Sequence, residues 1–342
     1  MSSPYHGLDE WALDPAAFPV NASGDEQLRA ALPWAVLAPS GHNTQPWLFT
    51  VRPGLVDVLA DRSRRLSAVD PRDRELTMSC AAAGATLAVV LRRFGRAAHV
   101  EWTPDPGSPD VVARIIPGGE RDVDDRDVRW FDAIRARRTN RGPFTSEPDD
   151  LERIEKALEC VRDAGVGAAM LTGAARDEVA DLVADADRRQ MSDKAFRREL
   201  AAWMHHNRSE EPDGIRGYSL GYSDLASVAG PLIVRTFDVG RGQAAKDREI
   251  AEGAPALVVL HTDDDQPQDW ATCGGALVHL LLELASQGMS ASYLNQPIEV
   301  DQLRPRVADM VGQAHPQLLL RIGRPTTTPP PTARIPVEAR LV

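Results

Sequence analysis

The stretch Ala38-Pro39-Ser40-Gly41-His42-Asn43-Thr44-Gln45-Pro46-Trp47 concentrates hydroxyl and amide side chains just ahead of a strand-like run. Ser40 can donate and accept, and the Asn43 and Gln45 amides each carry a carbonyl and an NH2 group. Held beside Pro39 and Gly41, this set suits the edge of a planar heterocycle with alternating donors and acceptors, such as the pyrimidine edge of a flavin. The same residue types also favour a plain turn between helix and strand, and on chemistry alone the turn is the stronger reading.

A second cluster, Arg135 and Arg137-Arg138-Thr139-Asn140-Arg141, closes a helical pattern. Each guanidinium is a fork of donors, so the cluster makes a good phosphate clamp. The plainer alternative is a solvated basic helix end, which the helix dipole favours. Two weaker signals lie further on. Leu294-Asn295-Gln296-Pro297 follows a strand-like run, where backbone N–H groups could face a ring. Arg334 is a second candidate phosphate ligand, although a surface arginine is the default. His205-His206 is a poor chelator, because adjacent residues on a helix point apart. The dinucleotide, P-loop and nucleophile-elbow glycine motifs are absent from the sequence. Cys80, Cys160 and Cys273 are far apart and form no C-x-x-C pair, which argues against a disulfide framework or cysteine metal site.

The elements that must carry these residues repeat. Residues 79–95 (SCAAAGATLAVVLRRFG) and 272–288 (TCGGALVHLLLELASQG) match without a gap. Each opens on a hydroxyl residue and Cys, runs through small residues, repeats Leu at the same offsets (Leu87 and Leu91; Leu280 and Leu284) and ends on a capping Gly. The spacing predicts buried helices whose small residues allow close backbone approach. Around the first lie a helix at about 25–38 and strands at Trp47–Val51, Val56–Ala60, His99–Trp102 and Val111–Ile116. Pro117–Asp127 reads as a linker. The second copy opens with helices at about 128–138 and 148–163, with strands at Ala168–Leu171, Pro255–His261, Ser290–Leu294 and Gln317–Ile322. Residues 186–250 fit neither copy. They contain a predicted helix, Phe196–His206, and read equally as a packing insertion or as a lid over a ligand. The tail Thr326–Pro331 is expected to be extended.

The chain's 342 residues exceed one usual core, which predicts two domains. A net charge of −11 argues against nucleic-acid or anionic-membrane binding. No Lys or Arg precedes Arg29, no long apolar run opens the chain, and no run of purely apolar residues reaches a membrane-spanning length. A cytoplasmic protein is expected.

A-P-S-G-H-N-T-Q-P-W resembles the flavin-contacting A-P-S-x-x-N-x-Q-P-W motif of the nitroreductase family. I-R-A-R-R-T-N-R-G-P-F resembles that family's opening phosphate-binding segment. The repeated helix and the last strand with Gly323 are similar too, and the layout is most similar to the Acg-like subfamily. The resemblance implies an α+β nitroreductase-like fold in two tandem copies, 1–122 and 123–342, forming an intramolecular pseudodimer around FMN. It implies that Arg137, Arg138, Thr139 and Arg141 face the phosphate and ribityl chain, with Arg334 as a further phosphate ligand. Pro39, Ser40, Asn43 and Gln45 would reach the ring, and the Leu294-Asn295-Gln296 segment would offer it backbone contacts. The first copy lacks the basic segment, and the second has Asp163-Ala164-Gly165 in place of the Pro-Ser-x-x-Asn loop. One composite site in a monomer is therefore expected. The implied activity is hydride transfer from NADH or NADPH through flavin N5 to a nitroaromatic or quinone acceptor, with no protein acid or base evident and no metal. The alternatives are a flavin-sequestering protein closed by a lid at about 205–240 and, third, a structural pseudodimer that binds nothing.

Overall fold

The computed structural model describes residues 6–238, 240–312 and 315–342. Its first half opens with helix α1 (Gly24–Ala35), started by a capping box in which the Ser23 and Glu26 side chains each serve the other's backbone N–H. Strands β1 (Trp47–Arg52) and β2 (Leu55–Ala60) form a hairpin, with Gly54 supplying the left-handed turn residue at φ +78°. Helix α2 (Arg74–Arg93) leads to β3 (Arg96–Trp102) and β4 (Val111–Glu120). The four strands make an antiparallel sheet in the order β1-β2-β4-β3.

The second half starts with α3 (Asp125–Ala136), β5 (Phe144–Thr145), α4 (Asp150–Ala157), α5 (Glu159–Arg162) and β6 (Gly167–Met170). After α6 (Gly173–Ser192) and α7 (Lys194–Ala202) comes a parallel two-stranded pair, β7 (Met204–His205) with β8 (Ile215–Arg216). Then follow α8 (Asp224–Thr236), α9 (Gly240–Glu252), β9 (Ala256–Thr262), α10 (Pro267–Ser286), β10 (Ser290–Tyr293), α11 (Gln296–Glu299), α12 (Arg304–Val311) and β11 (His315–Pro325). The second sheet runs β10-β11-β9-β6, with β5 pairing to the end of β11, and every pairing is antiparallel.

The repeated helices are α2 and α10, and they pack on each other between the two sheets. Their small residues let the backbones touch: a Cβ on Gly274 would stand 2.3 Å from the Met78 carbonyl oxygen and 2.6 Å from its Cα. Backbone cannot rotate aside as a side chain can. Gly274→Ala is therefore expected to destabilise the fold by about 3 kcal/mol, the upper end of overpacking costs, as read by urea denaturation. α2 is 20 residues long and apolar enough to span a bilayer, which qualifies the sequence reading, but 94% of that window is buried. It is apolar all round because it is enclosed by protein.

The two sheets divide at 121–143, yet the halves interlock. Trp130, Phe131, Ala133 and Ile134 of α3 sit in the first half's core, with Phe131 4.4 Å from Trp34 between ring centroids. The C-terminal tail also returns to the first half: Val337 joins its core, and the Val342 N–H donates to the Phe49 carbonyl at 3.0 Å.

Several sequence expectations change. Pro117–Glu120 is strand rather than linker, because β4 continues through a bulge opposite Arg96 and Ala98. α3 begins at Asp125, fixed by an Asp124–Asp127 capping box. The 148–163 helix breaks at Leu158 into α4 and α5. His205 lies on a strand, since α7 ends at Ala202 and β7 pairs with β8.

Candidate functional site

The 38–47 loop is tightly wound. His42, Asn43 and Gln45 hold φ of 49°, 55° and 51°, a left-handed region that non-glycine residues seldom occupy. Such strain, of order 1–3 kcal/mol per residue, persists only where the surroundings over-determine it. Here they do. The Ser40 hydroxyl accepts from the Gln45 N–H at 3.0 Å, and the Asn43 and Thr44 N–H groups donate to the Ser40 and Gly41 carbonyls. The Gln45 amide NH2 donates to the Pro212 carbonyl at 2.9 Å, and its oxygen accepts from the Ile335 N–H at 2.8 Å. The Asn43 NH2 donates to the Gly214 and Ala333 carbonyls, both at 3.2 Å, while its oxygen accepts from Arg334 at 2.9 Å.

The basic segment is positioned from the other half. Thr139 bridges to Ala291 of β10, and the Asn140 N–H donates to the Ala291 carbonyl at 3.2 Å. Below it, the buried Arg321 guanidinium donates to the Asn140 and Gly142 carbonyls, both at 2.9 Å, and rests 4.3 Å from the Phe144 ring centroid.

These two constructions face one cleft, whose open space, mouth and adjoining solvent included, is about 600 Å³. Pro39, Ser40 and Asn43 line one side; Arg137, Arg138, Thr139, Arg141 and Arg334 line the other. Trp11 also borders it, 4.6 Å from the Arg138 guanidinium and 5.1 Å from that of Arg334 between charge centre and ring centroid. Gly214, Ile215 and Ser219 close it from above, and Pro329, Pro330 and Thr332 from the tail.

The electrostatics are one-sided. No carboxylate lines the cleft among the described residues, and none of its four arginines makes an ion pair there. Arg334 is buried and donates only to neutral oxygens, among them the Leu37 and Ala38 carbonyls at 3.2 Å. Burial, then Arg137 and Arg138, hold its pKa well below the usual guanidinium value. Burial and Arg137 push Arg138 down to about 10. Arg141 is ringed by protein closely enough to depress its pKa, yet keeps an exposed surface in the cleft. The Arg138 and Arg334 Nε atoms are buried without an acceptor. A cluster of mutually repelling cations with unused donors, Arg137 and Arg334 of them buried, is costly unless an anion joins it. On the loop side, burial and Arg141 push His42 down to about 4, so it stays neutral at ordinary pH.

Four residues singled out from sequence do not line the cleft. Gln45 is fully buried, with its amide committed to Pro212, Asn43 and Ile335. Leu294 is buried, its N–H donating to the Leu319 carbonyl. The Asn295 side chain binds the Leu319 N–H and Glu75 at 3.0 and 3.1 Å. The Gln296 NH2 reaches Asp187 and Asp247, both at 3.2 Å. Sequence reasoning missed Trp11, which no local pattern marks; Gly214, Ile215 and Ser219 fall within the 205–240 stretch expected as a lid, although none was singled out as a residue.

No protein-family model matches the chain. A Mycobacterium tuberculosis protein named as an NAD(P)H nitroreductase is 30% identical over 312 residues, covering 90% of this chain and 88% of its own. The chain belongs to the NAD(P)H nitroreductase family. A second M. tuberculosis member, named acg, is 30% identical over 321 residues, covering 91% of this chain and 94% of its own. Among solved structures, the FMN and NADPH-dependent nitroreductase NfnB from a strain given as sphigopyxis sp. is 21% identical. It aligns with 61% of this chain and 93% of its own at a TM-score of 0.39. Among the described residues, no group of His, Cys, Asp or Glu could hold a metal ion.

Proposed function

We propose that the cleft holds one FMN and that the chain is an oxidoreductase using NADH or NADPH, with a nitroaromatic or quinone acceptor. The observation that carries this reading is the convergence of four arginines lacking a carboxylate partner, drawn from positions 137–141 and 334, on the polar loop at 39–43. The donor set fits a phosphate: planar guanidiniums with the Thr139 hydroxyl beside them, and buried Nε atoms that need acceptors. Arg137, Arg138, Thr139, Arg141 and Arg334 would hold the phosphate and its chain, and Pro39, Ser40 and Asn43 would face the ring. Gln45 would fix the ring loop from behind. In this reading the copies 1–122 and 123–342 are a fused duplication in which each kept the half-site that the other lost.

Bound FMN would supply the hydride chemistry; the protein supplies position, charge and exclusion of water. Asn43 and Gly214 hold the 212–215 segment over the cleft, which narrows access by nicotinamide and acceptor. That closure favours a second reading, flavin sequestration without turnover.

Absorption spectroscopy during anaerobic addition of NADH or NADPH tests both. Bleaching of the oxidised flavin bands supports the oxidoreductase, and persistent colour supports sequestration. A protein that takes up no FMN sinks both. The composite site further predicts saturation at one FMN per chain in a monomer, measured by titration with light scattering. Two flavins per chain, or an obligate dimer, would contradict it.

A further inference from the structure

The lid's outer face carries a feature that the flavin reading does not use. On α8, Leu225, Val228 and Leu232 are exposed at helical spacing, with Ile233 beside them and Phe237 just past the helix end; Leu225 is 84% and Leu232 68% exposed. The opposite face of α8, with Ser227, Gly230 and Val234, is buried in the lid. Among the described residues, the other exposed large hydrophobics are Val20, Val123, Leu151 and the two terminal residues. A contiguous apolar patch of this kind marks a binding surface.

Beside the stripe, α7 and α8 enclose a groove of about 420 Å³. Ala201, Ala202, Pro231 and Leu232 make its apolar lining, and Arg198 and Arg235 stand at it as exposed side chains. Neither arginine has an ion-pair partner among the described residues, whereas the nearby Arg188 and Arg189 pair with Asp185. An apolar trough with two unspent guanidiniums is complementary to a molecule with an apolar body and a single anionic head.

We propose that this groove binds a free acyl-chain carboxylate. Its volume lies in the range of small-molecule sites. A small anion responds chiefly to the local guanidinium pair, since distant charges are screened beyond about 8–10 Å. This proposal does not depend on FMN.

Isothermal titration of the intact protein with dodecanoate, kept below its micelle-forming concentration, tests it. Saturation at one per chain is expected. Arg198→Gln with Arg235→Gln should weaken binding at least about tenfold, because each charge-assisted bond commonly contributes a factor of that order. Leu232→Asn should weaken it as well, and dodecyltrimethylammonium should not saturate the site. All three positions are exposed, so circular dichroism should report an unchanged fold. Non-saturating heats, or full affinity in the double variant, would overturn the proposal. So would a dimer in light scattering that Leu225→Asp dissolves, which would assign the face to a second copy. Cosedimentation with phosphatidylglycerol vesicles that Leu225→Asp abolishes would assign it to a lipid surface.

Discussion

Arg138→Ala is expected to weaken FMN binding roughly ten- to a hundredfold, on the proposed placement of the phosphate. A charge-assisted hydrogen bond contributes about 1.5–3 kcal/mol, and each 1.4 kcal/mol is a factor of ten in affinity. Arg138 is the cleft arginine best suited to isolating this term. Its Nη1 donates to the Arg135 and Arg137 carbonyls at 2.8 Å, but its Nε has no acceptor. Arg334 is less clean, because its guanidinium also ties the tail to the Leu37 and Ala38 carbonyls and to Asn43. With a pKa pushed down only to about 10, Arg138 is charged throughout the neutral range. Riboflavin, which lacks the phosphate, should bind the parent protein poorly and be nearly indifferent to Arg138→Ala. Fluorescence titration with both flavins separates the cases. Full FMN affinity in Arg138→Ala would reduce the basic segment to a helix end packed on Trp11.

The parts of the site legible in the sequence are those in which chemistry is contiguous. Pro39, Ser40 and Asn43 in one short run and Arg137, Arg138, Thr139 and Arg141 in another line one cleft, so reading along the chain finds them together. Gln45 breaks that logic. At φ 51° its side chain turns inward, and it belongs to the scaffold although its residue type matches its neighbours. Trp11 was illegible for a different reason. It reaches the cleft only through long-range contacts, such as its indole N–H to the Thr332 carbonyl at 2.9 Å. The repeat was legible because both copies need small residues where α2 crosses α10. Its consequence, a tail that returns to pair with Phe49, leaves no periodic trace. α6 is not among the predicted elements even though Val179, Leu182, Val183 and Ala186 form a helical stripe; it lies outside the repeated segments 79–95 and 272–288.

Asp213→Asn is expected to loosen the lid and raise both the rate of flavin loss and, where the protein turns over, the rate of nicotinamide oxidation. On the proposal that residues 205–240 form a lid, Asp213 is its latch. It pairs with Arg64 of the first half, whose Nε also donates to the Thr44 carbonyl at 2.5 Å, and it accepts from His205 within the lid when that ring nitrogen is protonated. Both partners of the Arg64–Asp213 pair are 17% exposed, so solvent screens the pair only in part. Its loss should therefore fall between the near-zero effect of surface pairs and the 3–5 kcal/mol of fully buried ones. About 1–2 kcal/mol is expected, a factor of roughly 5–30 in the open population. The isosteric amide keeps the packing against Pro212 and Gly214, so the fold should survive. The pH dependence follows from the sign of the shift. His205 and Arg64 hold the Asp213 carboxyl below its ordinary 3.8 despite burial. A depressed carboxyl pKa stabilises the closed state above the ordinary value and loses that contribution as pH falls through the lowered one. The parent lid should thus stay latched through neutral and mildly acidic pH and release only below about pH 4. Asp213→Asn should be open to a similar degree at every pH. Stopped-flow fluorescence of FMN release between pH 4 and 8 reads this directly. Identical release and identical nicotinamide oxidation in parent and variant would remove the lid from any account of access to the cleft.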